Sequence, residues 1–274
     1  MTKNFILGVG AQKAGTTWLH AYLARQSSFN MGCMKEYHIW DALTFEEGRN
    51  FLPSNYREIY KKTKLIPYTS YKSYIRYKMK SAPGFYGQYF SGLIKGKIIS
   101  TGDITPAYSV LSSDIFTVIK KELESVGFLV KVIFLLRDPF ERCWSAVRMK
   151  IKKSKYSVDV SEALKDLFSS RDYLFRTDYK RTIEALESVF DSENIYYGIY
   201  EEMFLKDRIE QISSFCKIKP DFEFVSKKIN VSEKLVDVDK NLKKDILSYY
   251  SNIYKFCYDR FPQTRLLWNN IKQK

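Results

Sequence analysis

A glycine-rich loop between an apolar run and a helical pattern constrains the fold of this chain more than any other feature. The run is Phe5 to Leu7, and the sequence continues as Gly8-Val9-Gly10-Ala11-Gln12-Lys13-Ala14-Gly15-Thr16-Thr17-Trp18-Leu19. Successive backbone N–H groups in such a loop, with the positive end of the following helix, form a site for a phosphate or sulfate ester. Glycines at 10 and 15 let the chain bend and approach the anion closely. The pattern predicts a strand, an anion-binding loop and a helix; a merely close-packed turn is the alternative.

The position of the lysine separates this loop from that of the nucleotide triphosphatases. Their loop reads G-x-x-x-x-G-K-S/T, with lysine directly after the second glycine and a hydroxyl residue that holds magnesium. Here Thr16 stands in the place of that lysine, and Lys13 lies inside the loop, two positions before Gly15. The sequence therefore disfavours a magnesium-triphosphate site but keeps an anion site.

A second motif follows a second buried strand. Lys131 to Leu136 is an apolar, β-branched-rich run without alternation, as expected of a parallel strand covered on both faces. Asp138 then suits a helix N-cap, and the proline after it suits the first helical position. Arg137 would lie at the carboxyl end of the strand and Ser145 about two turns into the helix, where ligands of open α/β sheets bind. A guanidinium and a hydroxyl there predict a second phosphate site; the alternative is that Arg137 pairs with Asp138 or Glu141.

Taken together, the first loop and the later L-L-R-D-P-x-x-R-x-x-S resemble the sulfotransferases that use 3′-phosphoadenosine-5′-phosphosulfate (PAPS) and release 3′-phosphoadenosine-5′-phosphate. In that family the first motif holds the 5′-phosphosulfate and the second holds the 3′-phosphate. A late loop, here 230–234, closes over the nucleotide, although its match is loose. The resemblance implies these cofactor-binding residues: Gln12, Lys13, Ala14, Gly15, Thr16, Thr17, Trp18, Arg137, Ser145 and Lys234.

Two further stretches are similar to the heparan sulfate branch of that family. Lys35-Glu36-Tyr37-His38-Ile39-Trp40-Asp41 resembles its K-E-x-H-F-F-D segment, in which the glutamate is the catalytic base. Gly102-Asp103-Ile104-Thr105-Pro106-Ala107-Tyr108 resembles an acidic-x-S/T-P-x-Y segment near the acceptor site. Tyr200-Glu201 also matches a Y-E pair after a late strand of the family. The resemblance implies that the acceptor is bound by Lys35, His38, Asp103 and Thr105.

Transfer of a sulfuryl group needs a base for the acceptor and a cation near the leaving phosphate. We expect Glu36 to be the base and Lys13 the cation. His38 is the rival base or a neighbour that orients Glu36. Glu36 could instead form a solvated pair with Lys35, and Asp103 could be a strand-end cap.

A sulfuryl group carries less charge than a phosphoryl group, so no metal is expected to be required. Two histidines and four cysteines without paired spacing give no metal-binding pattern either. A metal-dependent nucleotide kinase and a non-catalytic nucleotide or polyanion binder are the alternative functions.

The rest of the chain predicts one α/β domain. Its 274 residues, 45% hydrophobic and 28% charged, suit a P-loop-like three-layer fold with a central parallel sheet flanked by helices. Residues 45–95 are expected to be an acceptor-side insertion within the single domain 1–274. Further strands are predicted at 97–101 and 194–199, and helices at 112–125, 201–216 and 240–261.

Charge and hydropathy indicate the partners. The net charge of +14 favours anionic ligands, and residues 56–80 interleave tyrosines with lysines and arginines. Tyrosine faces and cations suit a sugar or acidic acceptor, so we expect a small-molecule or glycan acceptor. No compact nucleic-acid-binding module is present, and no specific nucleic acid is expected. No run approaches the ~18 apolar residues of a membrane span, and the N-terminus shows no signal-peptide pattern, so the expected location is cytoplasmic.

Overall fold

A four-stranded parallel sheet forms the centre of the molecule. The computed structural model describes residues 2–51, 68–153, 159–225 and 238–268. In that part of the chain the strands are β1 (Lys3–Gly10), β2 (Ser100–Ile104), β3 (Phe128–Leu136) and β4 (Ile195–Ile199). They lie in the order β2-β1-β3-β4, and every pairing is parallel. The predicted α/β fold with a central parallel sheet is confirmed.

Helices connect the strands and cover the sheet, as parallel crossovers require. In chain order they are α1 Thr16–Ala24, α2 Trp40–Thr44, α3 Tyr68–Ser81, α4 Phe85–Leu93, α5 Ser113–Ser125, α6 Pro139–Lys153, α7 Val160–Leu167, α8 Arg171–Thr177, α9 Tyr179–Glu187, α10 Lys206–Phe215, α11 Phe222–Val225, α12 Lys240–Tyr249, α13 Ser251–Arg260 and α14 Thr264–Leu267. Short 3₁₀ turns occupy Glu46–Phe51, Pro106–Val110 and Ser192–Asn194. No helix in the described ranges combines the length and apolarity needed to cross a membrane.

The strand register brings the predicted site segments to one edge of the sheet. Gly8 of β1 pairs with Ile104 of β2 and with Ile133 of β3, so the three strands end close together. The segments that begin after Gly10, Ile104 and Leu136 therefore leave the sheet at its carboxyl edge. This edge is where open parallel sheets bind ligands.

The start of α6 follows the predicted capping chemistry. The Asp138 carboxylate accepts hydrogen bonds from the backbone N–H groups of Phe140 (2.9 Å) and Glu141 (3.3 Å), and Pro139 is the first helical residue. Such a cap satisfies N–H groups that the first helical turn leaves without a partner. The chain consequently turns from strand to helix directly after Arg137.

Three element boundaries differ from the predictions. The strand expected at 97–101 lies at Ser100–Ile104, and the helix expected to begin at 201 begins at Lys206, after a turn. The helix expected at 240–261 is two helices that meet at Tyr250. The Tyr250 hydroxyl donates to the carbonyl of Phe168, and this buried anchor leaves no mark on helical periodicity. The single-domain assignment and the insertion at 45–95 remain predictions; residues 52–67 of that segment lie outside the described part of the chain.

Candidate active site

The phosphate loop (residues 11–15) presents the open end of a helix. Gly15 adopts a left-handed backbone (φ 88°) and precedes α1, and no side chain in the described part of the chain caps that helix. The N–H groups of the first turn therefore point out of the helix, where an anion can accept from them. A side chain at Gly15 would collide with Met203, since a Cβ there would lie 2.5 Å from its sulfur. Both the conformation and the space explain glycine at this position.

Lys13 and Arg137 connect the two predicted phosphate motifs. The Lys13 ammonium lies 3.7 Å from the sulfur of Met149 on α6. Arg137 donates from Nη1 to the backbone carbonyl of Lys13 at 2.8 Å, and its guanidinium stacks 4.5 Å above the ring of Tyr200. Nη2 of Arg137 also pairs with Glu141 at 3.3 Å, so the ion pair weighed as an alternative exists. An incoming phosphate would compete with Glu141 for this guanidinium.

The Glu36 loop (residues 35–39) carries a chain of charged groups. Lys35 Nζ lies 2.5 Å from Glu36 Oε1, and His38 Nε2 lies 3.1 Å from Glu36 Oε2. The other ring nitrogen of His38 lies 2.8 Å from Asp41, which is 1% exposed. Asp41 lies in the segment that resembles the heparan sulfate branch, but no role was predicted for it; its spacing of three from His38 was the available signal. The loop therefore joins Lys35, Glu36, His38 and Asp41 in one network.

The charges in this network stabilise one another. Burial would raise the pKa of Glu36, but the hydrogen bond to His38 and the charge of Lys35 outweigh it and lower the pKa to about 2. Burial would likewise lower the pKa of His38, but hydrogen bonds to Asp41 and Glu36 raise it to about 9. At neutral pH, Glu36 is therefore a carboxylate and His38 an imidazolium. A protonated His38 has no lone pair with which to act as a base.

Asp103 lies at the centre of a buried hydroxyl cluster. Its carboxylate accepts from Thr105 (2.6 Å), Tyr108 (2.8 Å) and Tyr86 (3.0 Å). Burial raises the pKa of Asp103 to about 6 in spite of these three donors, so the group is ionised at neutral pH. We call Asp103, Tyr86, Thr105 and Tyr108 the Asp103 cluster.

The Asp103 cluster holds the backbone of the Glu36 loop. The hydroxyl of Thr105 accepts from the N–H of Tyr37 at 2.9 Å, and the hydroxyl of Tyr108 accepts from the N–H of Ile39 at 3.3 Å. Asp103 and Thr105 were predicted to contact the acceptor. Both are completely buried; Thr105 contacts the loop that carries Glu36, and the carboxylate of Asp103 contacts the hydroxyls of Thr105 and Tyr108 that hold this loop. The geometry therefore favours positioning of that loop over direct contact with an acceptor.

Comparison with known proteins identifies the class of enzyme that this geometry serves. A family model described as a sulfotransferase domain matches residues 3–248. The chain belongs to this sulfotransferase family. No curated protein sequence matches it at a significant level. Sulfotransferases of this family generally take the sulfuryl group from PAPS.

Three solved structures share the fold of this sulfotransferase. A sulfotransferase from Alicyclobacillus acidocaldarius is 14% identical, covers 96% of this chain and 97% of its own, and has a TM-score of 0.59. The sulfotransferase domain from the Synechococcus PCC 7002 olefin synthase is 16% identical over 94% of each chain, with a TM-score of 0.51. The sulfotransferase domain from the curacin biosynthetic pathway is 16% identical over 91% of this chain and 97% of its own, with a TM-score of 0.50. At these identities the likeness shows the fold alone.

The remaining predicted cofactor residues lie around the phosphate loop of the sulfotransferase. Thr16 and Ser145 are buried, whereas Gln12 and Thr17 are half-buried and Ala14 is buried beneath the loop. Trp18 is buried and stacks on Tyr22 with ring centroids 4.7 Å apart. Lys234 lies outside the described residues. Within the described ranges, no group of three or more histidine, cysteine, aspartate or glutamate side chains is placed to hold a metal ion.

Two carboxyl groups, the buried one of Asp138 and that of Glu201 on the protein surface, hold the turn that follows Arg137. Glu201 accepts from the N–H of Asp138 at 3.1 Å and from the indole N–H of Trp268 at 2.7 Å. Asp138 also accepts from the hydroxyl of Tyr254 at 2.6 Å. Burial raises the pKa of Glu201 to about 7 and that of Asp138 to about 6. Tyr254 and Trp268 of the C-terminal segment thus hold the turn that carries Arg137 through two carboxyl groups, Asp138 and Glu201, whose pKa values lie near neutral pH.

One contact of the Glu36 loop was not predicted from the sequence. Arg76 on α3 donates from Nε to the carbonyl of Tyr37 and from Nη2 to the carbonyl of Glu36, both at 2.9 Å. Arg76 belongs to the basic, tyrosine-rich stretch that was expected on the acceptor side. Its separation of 40 positions from Glu36 leaves no local signal in the sequence.

Proposed function

We propose that this sulfotransferase moves the sulfuryl group of PAPS to a hydroxyl group of a carbohydrate or similar acceptor, with Glu36 as the general base. One observation carries the proposal: an ionised, partly exposed carboxylate is fixed by a hydrogen-bonded chain through His38 to Asp41. The resemblance of its segment to the heparan sulfate branch supports the glycan acceptor.

The cofactor residues proposed from the sequence are compatible with the described geometry. Lys13 and the first-turn N–H groups of α1, with the hydroxyls of Thr16 and Thr17, would bind the 5′-phosphosulfate. Arg137 and Ser145 would bind the 3′-phosphate from the end of β3 and from α6. The donor set fits an anionic group because the helix end is uncapped. Trp18 and Lys234 remain proposed contacts of the nucleotide.

Bound PAPS supplies the sulfuryl group as an electrophile. The acceptor oxygen forms a bond to sulfur as the bond between sulfur and the phosphate oxygen breaks, and the proton of the acceptor hydroxyl passes to Glu36. Lys13 offsets the negative charge that develops on the leaving phosphate. His38, held by Asp41, keeps the Glu36 carboxylate in one orientation throughout.

The low pKa of Glu36 bears on the choice of acceptor. A carboxylate with a pKa of about 2 is a weak base toward a free hydroxyl. The acidity of a hydroxyl rises steeply as its oxygen bonds to sulfur, so Glu36 can receive the proton late in the step. An alkylammonium must lose a proton before it can attack, and Glu36 is too weak a base to remove it. This difference favours hydroxyl over amine acceptors.

Calorimetric titration tests the cofactor. We would titrate 3′-phosphoadenosine-5′-phosphate, ADP and adenosine 5′-phosphosulfate, each with and without EDTA. Binding that requires the 3′-phosphate and ignores EDTA supports PAPS. Magnesium-dependent preference for ADP would instead support a nucleotide kinase, and no binding of any of the three would support a polyanion-binding protein.

Transfer from sulfur-labelled PAPS tests the acceptor. The panel would contain desulfated glycosaminoglycan oligosaccharides, neutral oligosaccharides, a phenol and an alkylamine. Label on an oligosaccharide hydroxyl is the expected result. Label on the phenol or the amine alone would overturn the proposed acceptor while leaving the sulfotransferase reaction in place.

A further inference from the structure

The backbone between Glu36 and His38 is bonded from two sides. In the peptide group between Glu36 and Tyr37, the C=O accepts a hydrogen bond from Arg76 and the N–H donates one to the hydroxyl of Thr105, at 2.9 Å each. The next carbonyl, that of Tyr37, also accepts from Arg76. The Asp103 cluster therefore holds N–H groups of this segment, while Arg76 holds two of its carbonyls.

This segment needs external support. Residues 35–39 form neither helix nor strand, so no regular ladder satisfies their backbone groups. His38 adopts a left-handed backbone (φ 53°), which is uncommon outside glycine and costs free energy. Such a conformation persists only where surrounding contacts impose it.

The shape of the Arg76 side chain suits this task. A guanidinium is planar and presents Nε and Nη2 along one edge, so it can donate to two neighbouring carbonyls with fixed geometry. A lysine ammonium is a point charge on a flexible stem and cannot reproduce that fork. Ile75 and Met79, the buried residues on either side of Arg76 along α3, anchor the helix in the core.

We propose that Arg76 is a positioning residue of the transfer reaction, whose guanidinium holds the two carbonyls between Glu36 and His38 so that these side chains keep the contact the reaction needs. The inference rests on the proposed role of Glu36 as the base. It gives the basic α3 a defined function: orientation of the base from the side on which the acceptor is expected.

Steady-state kinetics of Arg76→Ala and Arg76→Lys, with Lys121→Ala as control, test the proposal. Lys121 is exposed on α5, so its removal costs one positive charge away from the site. We expect kcat to fall roughly 10- to 100-fold in Arg76→Ala, because small misplacements of a catalytic group have effects of this size. Arg76→Lys should recover little of the loss, and added guanidinium below denaturing concentrations should recover part of it in Arg76→Ala. KM for PAPS and the affinity for 3′-phosphoadenosine-5′-phosphate should stay at the wild-type values.

Two comparisons separate this inference from the proposed function. Glu36→Gln alone tests the base: retained turnover there contradicts the proposed function whatever Arg76 does. If Glu36→Gln is inactive, an unchanged kcat in Arg76→Ala overturns the positioning role, and so does a parallel loss of nucleotide affinity, which indicates general disruption. Adding Arg76→Ala to Glu36→Gln should cause little further loss, since residues that act through one group are not additive.

Hydrogen exchange gives a readout that needs no acceptor. In Arg76→Ala and Arg76→Lys, the amides of Tyr37 and Ile39 should exchange faster than in the wild type, while those of α1 should be unchanged. Unchanged exchange in residues 36–39 would overturn the proposal. Faster exchange throughout the chain would also overturn it, because it would mean that Arg76 supports the fold as a whole.

Discussion

The phosphate loop and the Glu36 loop lie at the same edge of the sheet but are held in different ways. The phosphate loop is five residues between β1 and α1, and its proposed binding groups are mostly backbone N–H groups fixed by the helix itself. The Glu36 loop has no regular structure and is held by side chains in the segment that follows β2 and on α3. With the proposed roles of the two loops, cofactor binding would depend on local structure, whereas catalysis would depend on contacts between distant parts of the chain.

The two regions also differ in electrostatics. On the phosphate side, Arg137 is paired with the half-buried Glu141, with which the proposed 3′-phosphate would compete. On the Glu36 side, the carboxylate of Glu36 is paired with Lys35 and with the imidazolium of His38, which in turn pairs with Asp41. We expect substitutions on the two sides to affect affinity and turnover separately.

The largest expected effect is that of Glu36→Gln. The amide cannot take up the acceptor proton, so kcat should fall roughly 100- to 10,000-fold, the usual contribution of a general base. The affinity for 3′-phosphoadenosine-5′-phosphate, measured by calorimetry, should stay near the wild-type value. Glu124→Gln, on an exposed position of α5, is the matched control and should keep full activity. A Glu36→Gln enzyme that turns over normally would assign the base elsewhere and remove the distinction between the two regions.

Arg137→Ala should show the opposite pattern. Loss of a charge-assisted contact to the 3′-phosphate should cost about 2 kcal/mol, or roughly 30-fold in affinity. Adenosine 5′-phosphosulfate, which lacks the 3′-phosphate, should lose much less.

Two further results would show whether Arg137 binds the 3′-phosphate directly. Equal losses for both nucleotides would mean that Arg137 acts by supporting the phosphate loop through the carbonyl of Lys13. Glu141→Gln should bind 3′-phosphoadenosine-5′-phosphate more tightly than the wild type, because it removes the competing carboxylate from the guanidinium.

The contrast between local structure and long-range contacts also explains which parts of the fold and the site could be predicted from the sequence. The strand, the phosphate loop and α1 are adjacent in the chain, so apolar patterning and glycine positions were enough to predict them. The cap of α6 by Asp138 followed from its side-chain chemistry alone. Local signals of this kind also predicted the parallel sheet, because strands separated by helices leave few other arrangements.

The support of the Glu36 loop could not be predicted in this way. Arg76 reaches carbonyls about 40 positions away, and no residue near Arg76 marks that contact. Asp103 was expected beside the acceptor. It is completely buried, and its carboxylate accepts hydrogen bonds from hydroxyls that precede it in the sequence, such as that of Tyr86, and from hydroxyls that follow it. The break at Tyr250 was not predicted either, because the helical periodicity continues through it and the contact of Tyr250 with Phe168 is 82 positions away in the sequence.

A smaller effect is expected in the pH profile. The pKa of His38 is raised to about 9, so His38 is positive below that pH and loses its proton above it. Glu36 then loses one of its two charged donors and keeps Lys35, and kcat/KM should fall as the pH rises through about 9. His38→Asn keeps a donor that cannot titrate, so its profile should be lower but flat in this range. A decline that persists in His38→Asn would assign the titration to another group and weaken the link between His38 and Glu36.

The smallest expected effect is on stability, and it concerns the support of the phosphate side. Burial raises the pKa of Glu201 to about 7 in the folded protein, so the folded state holds this proton more tightly than the unfolded state does. The resulting stabilisation is complete below the ordinary glutamate range, near pH 4.5, and is lost as the pH rises through about 7. The melting temperature of the wild type, compared with that of Glu201→Gln, should therefore show an advantage that shrinks between pH 5 and pH 8, by a small amount because the residue is exposed and solvent screens its charge. Glu124→Gln should follow the wild type at every pH. A constant difference between wild type and Glu201→Gln would mean that Glu201 does not titrate in this range, and that its contacts with Asp138 and Trp268 act only as fixed hydrogen bonds beneath Arg137.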